Sequence, residues 1–514
     1  MTPAAGTRGA GIPAAGTGAA APLPAGFRIE LDAATRQLSD GSLFGGSPAR
    51  AMRLTAAGHT ALQELRDGPV GSAAAGVLAR RLTDAGLAHP VPPAGAGQAA
   101  GPEQAAGRDQ ISGRVTVIIP VKDRPQRLAA CLAALGETGP EGSCPVIVVD
   151  DGSADEAAIA AVTRRHHAEL RRRPLTGGPA AARNSGLAGI STELVAFIDS
   201  DCVPPAGWLG DLVAHLADPL VAAVAPRVVA APAASTAGRY ERARGSLDLG
   251  RRAARVQPGS RVSYVPTAAL LVRSAALARA GGFDEDLRYG EDVDLVWRLH
   301  EAGWRIRYDP AVEVIHHGPE SWPALLTRRF RYGTSAAPLA RRHPGNLAPL
   351  VLQPWPALTV GALLAGRPAA TAAGLTGAWL NLTSVVRRAG LPADGAAAAS
   401  VTAVRQTWLG IGRYATQFAG PALAVGLTAP GRPAGRLRRR AAAASLLLGP
   451  PLTAYAERKP GIDPVRFTLA HLADDFCYGA GVWAGCLAAR TMTPLLPVIS
   501  RRPLRITTSG GTVS

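Results

Sequence analysis

PVIVVDDGS, residues 145–153, is a short apolar run that stops abruptly in two acids and a Gly-Ser turn. A run of four to six branched aliphatic residues without polar alternation reads as a strand buried on both faces. The same texture occurs in VTVIIPV (115–121) and in ELVAFIDSD (193–201). Helical spacing lies between these runs, near 125–135 and 155–168. Apolar strands alternating with helices predict an α/β domain with a largely parallel sheet, assigned to residues 112–335. In such sheets polar functional groups gather at the carboxyl ends of the strands, and Asp123, Asp150, Asp151, Asp199 and Asp201 all fall there.

Five further regions flank this domain. Residues 1–26 are rich in Ala, Gly and Pro and lack a basic start followed by an apolar core, so they read as a disordered leader, not a signal peptide. Residues 27–90 combine a strand-like FRIELDAATRQL with two short helical patterns, which suits a small winged-helix-like module. Residues 91–111 form a Pro/Gly/Ala linker. Residues 336–500 are mostly Ala, Leu and Gly with arginine clusters, and predict a helical region; 501–514 read as a disordered tail. Uncharged runs at 368–386 and 414–431 approach membrane-spanning length but are alanine-rich. Helices packed on the catalytic domain or lying on an anionic membrane surface are therefore expected before a spanning segment.

Of 55 basic residues only Lys122 and Lys459 are lysines, and the formal charge is +17. A basic balance favours anionic partners such as nucleotide phosphates or lipid headgroups. With aromatics at 5% and no zinc-finger or RNA-binding motif, nucleic acid is excluded as the expected partner. The five cysteines are scattered and form no CxxC pair, which argues against a disulfide framework or zinc knuckle and fits a reducing cytoplasm.

The chemistry-bearing pattern starts with Asp199-Ser200-Asp201. Carboxylates two apart on extended backbone share a face and suit a hard cation, Mg²⁺ or Mn²⁺, whose shell is completed by diphosphate oxygens. Asp123 and Asp151 sit where they can accept hydrogen bonds from a nucleoside; Asp150 serves equally well as a turn cap. LTGGPAAARNSGLAG (175–189) is a glycine-rich helix entry whose N–H groups, with Arg183, face a phosphate in the functional reading. Glu291 and Asp292 open an amphipathic helix, where an anion is stabilised and a carboxylate can deprotonate an acceptor hydroxyl. Arg298 lies one turn further on as a support or salt-bridge partner. His316 follows the strand-like AVEVI, as a third metal ligand or a hydrogen-bonded structural residue.

VIIPVKDR, VIVVDDGS, GPAAARNSGL, LVAFIDSD, GGFDE and GEDVDLVWRLHEAGW together resemble, in order, the motif series of the family 2 inverting glycosyltransferases. That resemblance implies a GT-A fold, a Rossmann-like mixed sheet, and a hexosyl transfer from a UDP-sugar with inversion and a divalent cation. It places Asp123, Asp151, Arg183 and Asp199 at the nucleotide-sugar, Asp201 and His316 at the metal, and Asp292 as general base, with Glu291 and Arg298 at the acceptor or in structural support. RRFRY (328–332) resembles the QxxRW motif of processive members only loosely and reads first as a solvated arginine face. The whole chain is similar to mycofactocin-system glycosyltransferases, whose front module is PqqD-like. This narrower resemblance implies UDP-glucose as donor and β-1,4-linked chains built on the peptide-derived small molecule premycofactocin, in the cytoplasm or at the inner face of the membrane. A lipid or cell-envelope acceptor, and a non-catalytic nucleotide-sugar or peptide-binding module, are the competing readings.

Overall fold

A computed structural model describes residues 21–93, 111, 113–137, 144–388, 390–500, 505–508 and 511–512; most of the expected leader and linker lies outside them. The N-terminal segment pairs β1 (Arg28–Leu31) with β5 (Ala88–Val91) and sets β2 (Arg36–Gln37), β3 (Leu43–Gly45) and β4 (Arg50–Arg53) in a second small sheet. Helices α1 (Ala56–Asp67) and α2 (Ala73–Ala85) are started by the Thr55 and Ser72 side chains, each accepting from a backbone N–H three residues on. Gly86 ends α2 in the left-handed region at φ 72°, which only glycine adopts without cost. Leu23, Phe27, Leu43, Met52, Leu62 and Leu82 close a separate apolar core. Residues 21–26 therefore correct the expected leader: Leu23 is buried and its N–H donates to Gly76.

The large sheet has nine strands. Its parallel half runs β8 (Glu169–Arg173), β7 (Val146–Asp151), β6 (Val115–Val121), β9 (Leu194–Ile198). β13 (Ala269–Arg273) joins β9 antiparallel, followed by β11 (Val221–Ala230) and β14 (Arg305–His316), which are parallel to each other. Two short strands, β10 (Cys202–Val203) and β12 (Ala254–Val256), pair with β14. The sheet is thus mixed, where sequence texture alone favoured a parallel one. Helices α3 (Pro125–Glu137), α4 (Glu156–Arg165), α5 (Pro179–Leu187), α6 (Trp208–His215), α7 (Thr236–Arg244), α8 (Ser274–Ala280) and α9 (Glu291–Glu301) follow in chain order. Two apolar clusters, one around Val117, Leu128 and Trp208 and one around Phe197, Leu295 and Trp297, fill opposite faces. The N-terminal segment is joined to this sheet by buried charge: Arg80 donates to both Asp218 oxygens at 2.7 Å, and Arg305 pairs with Asp84. Breaking a pair as buried as Arg80–Asp218 costs about 3–5 kcal/mol, because the surviving charge is left without a partner.

The C-terminal region is helical: α10 (Trp322–Thr334), α11 (Ala336–Arg342), α12 (Pro354–Leu364), α13 (Pro368–Arg388), α14 (Ala396–Phe418), α15 (Gly420–Thr428), α16 (Pro433–Arg458) and α17 (Pro464–Ala488). Among the described residues no helix is long and apolar enough to cross a membrane. The 414–431 run is split between α14 and α15 at Ala419. Inside the expected tail, β15 (Arg505–Thr508) pairs parallel with β4, so that stretch is strand.

Helix α17 is held by backbone proximity. A Cβ at Gly481 would collide with the Phe330 carbonyl on α10, and one at Gly479 with the Gln417 carbonyl on α14. Beside these contacts Tyr240 donates to Asp474, and Arg329 pairs with Asp474 at 2.7 Å. Because the obstacle is backbone, Gly481→Ala forces the helices apart. Its expected cost is about 1–3 kcal/mol, read as a lowered Tm against a Gly435→Ala control, where nothing stands near the added methyl; an unchanged Tm for Gly481→Ala would contradict this packing.

Candidate active site

The ends of β6, β7 and β9, the start of α9 and the end of β14 open onto one cavity of about 1230 Å³. Asp123, Asp151, Asp199, Asp201, Asp292 and His316 all line it. Acids far apart in the chain therefore converge in a single cleft.

After β6, Asp123 sits at φ 55°, a conformation aspartate tolerates better than most side chains. Its backbone N–H donates to Ser153 Oγ, and its carboxylate accepts from Ala154 N–H at 2.6 Å. β7 sends its last two residues opposite ways. Asp150 is buried and accepts from Ser153 N–H, the turn-capping role. Asp151 accepts from Gly177 and Gly178 N–H at 2.9 and 2.8 Å and from Arg173 Nε at 3.0 Å. Expected as a free nucleoside ligand, Asp151 has its oxygens engaged by the glycine-rich loop, whose entry N–H groups it uses up. The physical reason is that two adjacent loop amides have no strand partner and take the nearest carboxylate.

Arg183 lines the same cavity and is likewise engaged by the protein. Expected as a cation facing the donor, it is 3% exposed and donates to Asp199 at 2.7 Å and Glu291 at 2.9 Å. Its guanidinium carbon lies 5.5 Å from the Phe283 ring centre. A buried guanidinium between two carboxylates is neutralised on the spot, so it fixes the acids in position.

Asp199 and Asp201 lie in a turn closed by Cys202 N–H on the Asp199 carbonyl; their common cavity comes from this turn, not from strand pleating. Burial raises the Asp199 carboxyl, with Arg183 opposing and Asp201 adding to the rise. Asp201 pairs with Arg124 and stands 3.6 Å from His316 Nε2. The antiparallel pairing of Cys202 with His316 in β10 and β14 brings that histidine here. Burial pushes its imidazole down to about 4, helped by Arg328, so it is neutral at pH 7 and its nitrogen lone pair is available. Among the described residues no three His, Cys, Asp or Glu side chains stand ready as a metal cage.

Asp292 lies in the first turn of α9, after Gly290 at φ 81°. Among the described residues its carboxylate accepts from Val293 N–H alone, at 2.8 Å. Burial, then the neighbouring Glu291 charge, pushes it up to about 7. Glu291 is committed to Arg183, whereas Asp294 is locked by Arg298, Arg342 and His343. Arg298 also donates to the Ala280 and Gly282 carbonyls, which gives it the structural role among the two expected. Among the described residues Asp292 is thus the carboxylate in the first turn of α9 that has no ion-pair partner.

Two of the three arginines of 328–332 are not part of a solvated face: Arg328 pairs with Glu241 and Arg329 is buried on Asp474, whereas Arg331 is exposed. The sequence reading also missed Arg413, Asp474, Asp475 and Tyr478 of α14 and α17, which line the cavity. The acidic pair inside the apolar HLADDFCYG was the available signal, since charges on a buried helix require partners.

The glycosyl transferase family 2 model matches residues 116–278. The chain is 38% identical over 492 residues to the pre-mycofactocin glycosyltransferase of Mycobacterium tuberculosis, covering 93% of this chain and 98% of that protein. It is 31% identical to glycosyltransferase AglE of Haloferax volcanii, over 43% of this chain and 71% of that one. Among solved structures, the mannosyltransferase PcManGT of Pyrobaculum calidifontis in complex with GDP-Man and Mn²⁺ aligns at TM-score 0.36 and 21% identity, covering 68% and 87% of the two chains. The near end-to-end identity with the mycobacterial protein, together with the family match across β6 to α8, establishes that this chain belongs to the pre-mycofactocin glycosyltransferases of glycosyl transferase family 2 and is a glycosyltransferase of GT-A fold class.

Proposed function

We propose that the chain transfers glucose from UDP-glucose to pre-mycofactocin with inversion, extending a β-1,4-linked chain. The acceptor follows from the mycobacterial relative matched over 98% of its length. The observation that carries the mechanism is Asp292, free of any cation, in the same cavity as the Asp199–Asp201 turn and pushed up to about 7. In the proposed reaction the acceptor hydroxyl attacks the anomeric carbon from the face opposite the diphosphate. Its proton passes to the Asp292 carboxylate as the sugar–phosphate bond breaks and the nucleoside diphosphate leaves. A base with a pKa near the working pH is poised to take the proton and to return it to solvent.

Asp123 and Asp199 are proposed to contact the nucleotide-sugar, with Asp151 shaping the glycine loop beneath it and Arg183 setting the positions of Asp199 and Glu291. An acid–imidazole donor set, Asp201 beside neutral His316, suits Mg²⁺ or Mn²⁺ with diphosphate oxygens completing the shell. When bound, such a cation supplies positive charge for the departing diphosphate. The N-terminal segment is proposed as a peptide-recognition module, its small groove lined by Leu31, Leu62, Leu65 and Val91. Peripheral contact with the inner membrane face is proposed through the helical region, where Leu358, Leu380 and Leu437 are exposed.

Incubation with UDP-glucose and pre-mycofactocin should add successive hexose increments by mass spectrometry; products found only on lipid or polysaccharide acceptors would overturn the acceptor assignment. Asp292→Asn should lower kcat by about 10²–10⁴-fold while calorimetry finds UDP-glucose binding essentially unchanged. For the native enzyme, kcat/KM should climb about tenfold per pH unit below about 7 and level off above it, because only the ionised carboxylate accepts a proton. EDTA should abolish turnover and added Mn²⁺ or Mg²⁺ restore it; full activity in EDTA would remove the cation from the mechanism.

A further inference from the structure

Half of the eight tyrosines line the catalytic cavity: Tyr264, Tyr289, Tyr332 and Tyr478. They arrive from four separate places, the segment before β13, the loop before α9, helix α10 and helix α17. Of the other four, three have hydroxyls engaged by the protein: Tyr240 donates to Asp474, Tyr308 to the Gly250 carbonyl and Tyr414 to the Leu495 carbonyl, while Tyr455 packs its ring edge to face on Phe467 outside the cavity. The four cavity hydroxyls have no such partner among the described residues. Tyr289 and Tyr332 meet edge to face, with ring centres 6.5 Å apart, and Arg328 lies over the Tyr332 ring. Tyr264 and Tyr332 stand near enough to Asp292 to feel its charge. Burial first, then the Asp292 charge and those of Tyr478 and Tyr332, raises the Tyr264 phenol. Tyr332 is pushed up to about 12, by burial first, with Arg328 opposing and Asp292 adding.

Rings with unspent hydroxyls around a base are suited to a flat amphipathic ligand. Each ring offers apolar area at low entropic cost, and each hydroxyl offers a donor and an acceptor at its edge. We propose that Tyr264, Tyr289, Tyr332 and Tyr478 form the acceptor face of the active site. It receives a six-membered ring, the aromatic ring of an aglycone or the pyranose at the end of a growing chain, and presents its hydroxyl to Asp292. Helix α17, which lies outside the segment matched by the family model, thereby contributes directly to acceptor selection through Tyr478. This inference rests on the transfer reaction proposed above.

The kinetic test compares pre-mycofactocin with its mono-glucosylated form in Tyr264→Ala, Tyr478→Ala and the corresponding Phe variants. The Ala variants should raise acceptor KM at least about tenfold, with UDP-glucose Kd by calorimetry little changed. The Phe variants keep the ring and its packing and should raise KM only a few-fold, which separates recognition from misfolding. A loss confined to the glucosylated acceptor identifies the ring held as pyranose, and a loss confined to the unglucosylated one identifies it as aromatic. Unchanged acceptor KM in both Ala variants would overturn the proposal. Phenyl β-glucoside, which carries both rings, provides a readout without turnover. Its ring protons should show saturation-transfer NMR signals with the native enzyme that fall in the Tyr264→Ala/Tyr478→Ala double variant, and equal signals would refute the face. If the native enzyme bound this probe yet failed to glycosylate pre-mycofactocin, the acceptor assignment would fall and the tyrosine face would stand.

Discussion

One buried guanidinium sets the terms for the active site. Arg183 bridges the carboxylate at the end of β9 and the one at the start of α9, joining two elements that carry acids toward the same space. Carboxylates cannot be gathered in a low-dielectric cleft without compensation, since burial and mutual repulsion both favour the neutral form. Arg183 supplies that compensation for Asp199 and Glu291 and leaves Asp292 without a cation. The contrast along α9 follows directly: Glu291 and Asp294 are paired, and the residue between Glu291 and Val293 keeps a raised pKa. A fixed cation at two positions leaves the third available for the base role proposed for it.

The same economy recurs around the cavity. Arg124 faces Asp201, Arg173 faces Asp151, and Arg329 and Arg244 face Asp474 and Asp475. The arginine-rich composition thus serves as the counter-charge for a converging set of acids. The planar fork of arginine, which can hold two oxygens at once, suits this use better than a lysine ammonium.

The helical C-terminal region belongs to the site as much as the sheet does. Glycines on α17 bring its backbone against α10 and α14, and the closeness of that packing places Asp474, Asp475 and Tyr478 on the cavity wall. The buried acids of α17 lie where this helix covers a polar cleft.

The amino-acid pattern by itself determined the alternation of buried strands and helices, the placement of acids at strand ends and the amphipathic α9. Each of these follows from local periodicity, because side-chain direction along a strand or helix repeats within a few residues. It also located Asp199, Asp201 and Asp292 at the cleft. Only the tertiary structure decided which carboxylates are spent. Asp151 reads like Asp292 in sequence, yet loop amides and Arg173 occupy it; Arg183 reads as a ligand cation, yet two acids enclose it. His316 reaches Asp201 only through β10–β14 pairing, and Tyr478 reaches the cavity only through helix packing. Partners distant in sequence are chosen by packing and by the need to neutralise buried charge, and no local pattern records that choice.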